Sequence, residues 1–270
     1  MAHLIEAEKD VKLYVEDIGE GRPVIFIHGW PVNHKMFEYQ STELVENGYR
    51  FIGIDLRGYG KSDKPASGYD YDRMADDVKA VIDELNLEDA VLAGFSMGGP
   101  ISIRYMTRHK GKGISKLLLI APAAPAFTQR EDYSVGMKPE EVDDLIGGLR
   151  DDRPAALRNF GEMFFDSEVN VSDAYAQYFH SIAMEGAPHA TIQSLRSLRD
   201  EDLRNELSEI NVPTSSFHGM HDQLCPFQFS EELKKGIDNL TIVSFEKSGH
   251  ALFFEEKEKF NRELLSFLEA

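Results

Sequence analysis

The chain has 270 residues, 42% of them apolar, which is enough material to bury the core of one large domain and excludes a disordered protein. Acidic residues number 47 against 29 basic ones, a formal charge of −18 that repels a phosphate backbone and argues against nucleic acid as a partner. The longest mostly apolar run, Leu117 to Phe127, holds two prolines within 11 positions, short of the ~18 residues needed to span a bilayer.

Glu6, Glu8 and Asp10 stand where a secretory leader needs a basic start and an apolar stretch, so the expected setting is cytoplasmic, without membrane attachment. The single cysteine, Cys225, excludes an intrachain disulfide and a cysteine-rich metal knuckle.

In chain order, Val11 to Ile18 comes first, alternating apolar and polar residues as in an antiparallel edge hairpin with one face exposed. Six short apolar runs rich in Val and Ile follow: Val24–His28, Phe51–Asp55, Ala90–Phe95, Ile114–Ala121, Val212–His218 and Leu240–Phe245. Several end in or run into Gly or Asp and lead into stretches with helical spacing, the pattern of buried parallel strands joined by crossover helices. Between Pro122 and about Asn205 the strand pattern stops. Helices are expected there from Pro139, at Ala155–Phe165, at Ala174–Met184 behind a Ser172 cap, and at Pro188–Leu198. An all-helical insertion in an α/β frame predicts a lid over the carboxyl ends of the strands, where open parallel sheets bind ligands. The expected division is a core of residues 1–122 and 206–270 with a helical cap of 123–205.

The sharpest local motif is Gly94-Phe95-Ser96-Met97-Gly98, which follows one predicted strand and opens a helix from Met97 to about His109. A serine on so tight a strand-to-helix turn needs glycine two residues to either side, and the turn thrusts its hydroxyl out of the sheet edge. That hydroxyl is a weak nucleophile at neutral pH and needs a histidine base held by a carboxylate. Of nine histidines, His250 is the best base, because Ser248-Gly249-His250 lies just past the last predicted strand. The acid belongs between serine and histidine in chain order. Asp222, just past Val212–His218, fits, whereas Ala121-Pro122-Ala123-Ala124-Pro125 offers no carboxylate after the preceding strand. An oxyanion hole needs two donors. The N–H of Met97 supplies one by following the nucleophile, and that of Trp30, in His28-Gly29-Trp30-Pro31, supplies the other because Pro31 has none.

With these pieces assembled the chain resembles an α/β-hydrolase, and in particular the cofactor-free haloperoxidase and aryl esterase branch of that superfamily. The resemblance is carried by His28-Gly29-Trp30-Pro31, Asp55 through Ser62, Gly94 through Gly99, His218 through Asp222, and Gly249-His250 with Leu252-Phe253. It implies a mostly parallel eight-stranded sheet flanked by helices, with a helical lid after the sixth strand. It also implies a Ser96, Asp222, His250 triad, an oxyanion hole from Trp30 and Met97, and hydrolysis of small esters through an acyl-enzyme, with no metal, haem or other cofactor. Members of the branch often pass the acyl group to hydrogen peroxide, and Pro31 after the oxyanion aromatic is typical of them. Met97 agrees with the esterase variants and tilts the expectation toward carboxylester or aryl ester hydrolysis.

Lactonases, lactamases and C–C bond hydrolases share this triad, and a receptor that binds a ligand without turnover occurs on the same fold. Partners are otherwise limited to a small-molecule ester, and a homo-oligomer is compatible with this reading. Phe95, Phe127, Phe164, Phe227 and Leu252 are the expected pocket walls. Of the lid aromatics Phe127, Phe160, Phe164, Phe165, Tyr175, Tyr178 and Phe179, two or three are expected to face substrate and the rest to bind lid to core. His28, Asp55 and Arg57 are expected to be structural, and Cys225 a small buried residue. The His218, His221, Asp222 run is not expected to hold a metal, because no second ligand cluster accompanies it.

Overall fold

A computed structural model describes residues 1–166, 169 and 171–270. Eight strands form one sheet: β1 (Ala2–Glu8), β2 (Val11–Ile18), β3 (Pro23–Ile27), β4 (Arg50–Ile54), β5 (Ala90–Phe95), β6 (Ile114–Ile120), β7 (Thr214–Gly219) and β8 (Leu240–Phe245), in the order β1-β2-β4-β3-β5-β6-β7-β8. Strands β3 through β8 pair in parallel, and β2 runs antiparallel to both β1 and β4. The sheet is therefore mixed and mostly parallel, as expected.

The first hairpin differs in detail. Val11–Ile18 is not the edge, because Ala2–Glu8 lies outside it. Tyr14, which the alternation assigns to the solvent face, is buried. The loop after β4 covers it: its N–H donates to Ser62 Oγ at 2.8 Å and Lys61 lies over its ring. Alternation reports two environments along a strand but not which loops fold over its exposed face.

Helices α1 (Glu38–Glu46), α2 (Tyr71–Glu84) and α3 (Gly98–Arg108) cross over between the parallel strands, and among the described residues four α-helices lie between β6 and β7: α4 (Pro139–Asp151), α5 (Arg153–Glu162), α6 (Asp173–Met184) and α7 (Pro188–Asp200). Their starts follow the capping chemistry read from the sequence. Pro139 opens α4, where Glu141 accepts the Lys138 N–H at 2.7 Å, and Ser172 Oγ accepts the Tyr175 N–H at 3.2 Å to open α6. Helix α5 ends at Glu162, earlier than its apolar run suggests, and Phe164 and Phe165 leave it to pack inward. Helix α8 (Gln228–Gly236) precedes β8, and the short α9 (Leu252–Glu255) and α10 (Lys257–Glu269) end the chain. Phe260 of α10 meets Phe217 and Phe245 with centroids 5.6 and 6.0 Å away, seating the last helix on β7 and β8. Among the described residues no helix is long and apolar enough to cross a membrane.

The segment Asp55 to Ser62 is a structural knot. Asp55, fully buried, accepts from His34 Nδ1 at 2.6 Å and from the N–H groups of His34 at 3.0 Å and Lys61 at 2.8 Å. A Cβ at Gly60 would lie 2.1 Å from the Asp55 carboxylate, so only glycine fits. Arg57 is fully buried and grips Asp77 of α2 with Nε at 2.6 Å and Nη2 at 2.7 Å. Removing one member of such a pair strands a charge away from water, whereas replacing both with apolar residues does not. Asp77→Ala is accordingly expected to lower the unfolding free energy by about 3–5 kcal/mol in urea titrations, and Arg57→Met with Asp77→Leu by much less. Equal losses in the two proteins would contradict that account of the pair.

Candidate active site

Ser96 stands on the turn between β5 and α3 at the carboxyl edge of the sheet, with φ +52°, a left-handed backbone that costs a non-glycine residue on the order of 1–3 kcal/mol and persists only where surroundings enforce it. The enforcement is visible. A Cβ at Gly94 would lie 2.3 Å from Gly98 O, and one at Gly98 would lie 2.3 Å from Ile27 O. The turn is pinned by Ser96 N–H donating to Ile120 O at 2.9 Å and by Ser96 O accepting from Gly99 at 2.9 Å and Ala123 at 3.0 Å.

The loop after β3 passes directly beside the serine. A Cβ at Gly29 would come within 2.8 Å of Ser96 Cβ, so Trp30, the next residue, adjoins the turn. Its indole donates to Thr191 O at 3.0 Å and meets the Phe160 ring edge-on at 4.6 Å. Among the described residues, neither the main-chain N–H of Trp30 nor that of Met97 donates a hydrogen bond within the protein. His28, at the base of this loop, is structural: Nδ1–H donates to Gly29 O at 2.8 Å and Nε2 accepts from Leu56 N–H at 3.0 Å, and burial lowers its pKa to about 4. It is therefore the neutral Nδ1–H tautomer that satisfies both bonds.

Asp222 and His250 come together on loops past β7 and β8, with His250 Nδ1 2.7 Å from Asp222 Oδ2 and both residues buried. The other carboxylate oxygen accepts from the N–H groups of Leu224 at 2.9 Å and Cys225 at 2.8 Å, a local aspartate turn. Burial alone would raise the Asp222 pKa, but the charge and hydrogen bond of His250, together with His218, whose Nε2 lies 3.5 Å from Oδ2, outweigh it and hold the carboxyl well below the usual range. His218 reinforces the loop by donating from Nε2 to Cys225 O at 2.7 Å, while Nδ1 lies 2.6 Å from Ser230 Oγ. His221 turns away to the Asp166 carboxylate. Cys225 is buried, which pushes its thiol well up, as does the Asp222 charge; a hydrogen bond with Ser96 acts in the opposite direction. The His250 ring lies 4.7 Å from that of Phe95, the residue before Ser96.

The five expected wall residues fall in different places. Phe164 lies 4.8 Å from the His250 ring, and Phe95 is fully buried between His250 and Phe253. Leu252 is fully buried, Phe127 lies by Phe229, and Phe227 lies by His218. A cavity of about 500 Å³ opens instead between α5 and α6, walled by Pro31, Leu157, Phe160, Phe165, Phe179 and Ala183 among others. Three of the seven lid aromatics line it. Pro31 in its wall follows Trp30, so the cavity reaches the loop beside Ser96. Two neighbours of the site carry no local sequence signal at all: Glu255, which accepts from Gly249 N–H at 2.7 Å, and Asp166.

Comparison with known proteins agrees with this architecture. Residues 22–257 match the family model of the alpha/beta hydrolase fold. The chain is 55% identical over 99% of both chains to the AB hydrolase superfamily protein YisY of Bacillus subtilis. Among solved structures, an esterase from Exiguobacterium antarcticum superposes with a TM-score of 0.98 at 48% identity, covering 100% of both chains. A bromoperoxidase from Bacillus anthracis superposes with a TM-score of 0.96 at 32% identity, again over 100% of both. The chain therefore belongs to the α/β-hydrolase family, in the branch that contains esterases and non-haem haloperoxidases.

Proposed function

We propose that the protein is a serine carboxylesterase that cleaves small, mostly apolar acyl or aryl esters through an acyl-enzyme. The observation that carries this reading is the buried 2.7 Å contact between His250 and an Asp222 held ionised, at the same sheet edge as the strained Ser96. In this mechanism Ser96 Oγ attacks the ester carbonyl while His250 Nε2 takes its proton. The proton then goes to the departing alcohol, and water attacks the acyl-enzyme by the same route in reverse. Asp222 fixes the imidazole and offsets its transient positive charge. The unpaired N–H groups of Trp30 and Met97 receive the carbonyl oxygen as it becomes negative, and loss of one such donor costs on the order of a hundredfold in rate.

The cavity between α5 and α6, walled by apolar side chains together with Arg158, Glu162, Asp173 and His180, has the dimensions of a small-molecule site, and the charge of −18 disfavours strongly anionic substrates. Residues 123–205 form the cap in this reading, with 1–122 and 206–270 as the core, and the single buried thiol suits a cytoplasmic setting. Similarity to a bromoperoxidase supports a second activity of the same site, in which hydrogen peroxide replaces water and the acyl group leaves as a peracid.

Steady-state hydrolysis of 4-nitrophenyl acetate is the test. Ser96→Ala is expected to abolish turnover while circular dichroism shows an unchanged fold, and equal rates in the two proteins would overturn the reading. A single burst without turnover in the wild type would point instead to a ligand receptor. Asp222→Asn is expected to lower kcat on the order of a thousandfold or more with binding retained, through loss of the correct imidazole tautomer. Near-normal turnover would move the acid elsewhere. With peroxide and bromide present, the wild type is expected to generate peracid from the ester, which oxidises bromide and is read by bromination of monochlorodimedone, and Ser96→Ala is not.

A further inference from the structure

Residues Phe164 to Asp166, just past α5, are bound to both loops that carry the acid and the base. Phe164 O accepts the Ala251 N–H at 2.9 Å, one residue past His250, and the Phe164 ring lies against the His250 ring. The Asp166 carboxylate pairs with His221, one residue before Asp222. Glu255 closes the circuit: Oε1 accepts the Asp166 N–H at 2.5 Å and Oε2 the Gly249 N–H at 2.7 Å. The approach is close enough that a Cβ at Gly249 would lie 2.9 Å from Asp166 N. One carboxylate therefore joins the segment after α5 to the residue before the base, and it can hold both N–H groups only as an acceptor at both oxygens.

We propose that Glu255 is a positioning residue for hydrolysis, setting His250 against Ser96 by joining Gly249 to the Phe164–Asp166 strap through two main-chain hydrogen bonds. This rests on the serine esterase reading above. The near-isosteric Glu255→Gln exchanges one acceptor for a donor, which then opposes an N–H group. Wild-type Glu255 undergoes the same exchange when it takes up a proton. Burial pushes its pKa up to about 7, against the two N–H groups, with the Asp166 and Asp222 charges adding to the rise. The ionisable groups around it are Asp166 on the strap, His221 and Asp222 on the acid loop, Lys247 and His250 on the base loop, and Glu256 and Lys257 beside it in sequence. Glu255→Gln also removes a charge that acts on Asp166 and Asp222, so the His250 limb of each kcat profile is fitted separately before the ratio of the two is taken.

The experiment measures kcat and KM for 4-nitrophenyl acetate in wild type and Glu255→Gln from about pH 5.5 to 8.5. At the alkaline end Glu255→Gln is expected to lose ~10-fold or more in kcat with KM within ~3-fold, the signature of a misaligned reacting group rather than lost binding. The ratio of wild-type to variant kcat is expected to fall toward one below pH 7, as the wild type takes on the variant's bonding. A ratio that stays constant with pH, or stays at one, overturns the proposal. Should the variant fail to fold, amide hydrogen exchange on the wild type decides. Protection of the Asp166 and Gly249 amides, corrected for intrinsic rates, is expected to fall together between pH 8 and pH 5.5, and unchanged protection overturns the proposal. Turnover that survives Ser96→Ala would overturn the esterase reading, whereas Ser96-dependent turnover with a flat ratio would overturn only the role of Glu255.

Discussion

The turn from β5 into α3 sets the terms for everything around it. Helix α3 begins so close to the sheet that Gly98 rests against the last carbonyl of β3 and Gly94 against Gly98 itself. Neither place has room for a side chain. The geometry forces Ser96 into a left-handed backbone and leaves the N–H of Met97 without a partner at the start of a helix. Such a turn is held by what surrounds it, and β6 and the β3 loop provide the support through Ile120, Ala123 and Gly29.

Charges around this turn are managed by hydrogen bonding in place of water. Asp222 is buried, a position that by itself favours the neutral acid, yet it meets His250, two main-chain N–H groups and the nearby His218. Those contacts win, and the carboxylate stays charged where a base needs orienting. His28 shows the opposite outcome under the same burial. Its two ring nitrogens are satisfied by one carbonyl and one N–H, an arrangement that favours the neutral ring. Burial thus leaves His28 neutral, whereas at Asp222 the surrounding donors and the His250 charge override it and the group stays ionised.

The helices between β6 and β7 meet the core largely through aromatic rings. Phe160 stands edge-on to Trp30, Phe164 to His250, and Tyr175 stacks on Phe254 at 3.7 Å. These contacts seat the insertion on the loops that bear Trp30 and His250, and the space left between α5 and α6 reaches the first of them at Pro31. Side chains of the insertion therefore share packing contacts with the rings of Trp30 and His250.

Strand periods, the glycine pair about Ser96 and the order of serine, acid and base are local properties, and each is legible in the residues themselves. The alternating and continuous apolar runs locate β2 through β8 to within a residue or two, because burial on one face or both leaves its period in the chain, while β1 carries no such run. Gly94 and Gly98 mark the elbow because no other residue fits there, and Ser172 and Pro139 mark helix starts because capping is a matter of a few neighbours. Tyr14, Phe127, Phe227 and Glu255 were decided elsewhere. Tyr14 is buried by a loop some 48 residues on, and Phe127 and Phe227 face neighbours that their sequence positions do not disclose. Glu255 carries no local signal, and its bond with Asp166, 89 residues earlier, is made only by the fold. Local sequence determines backbone geometry and period, whereas the partner of a side chain depends on which distant segments the sheet order brings together, and that only the tertiary fold decides.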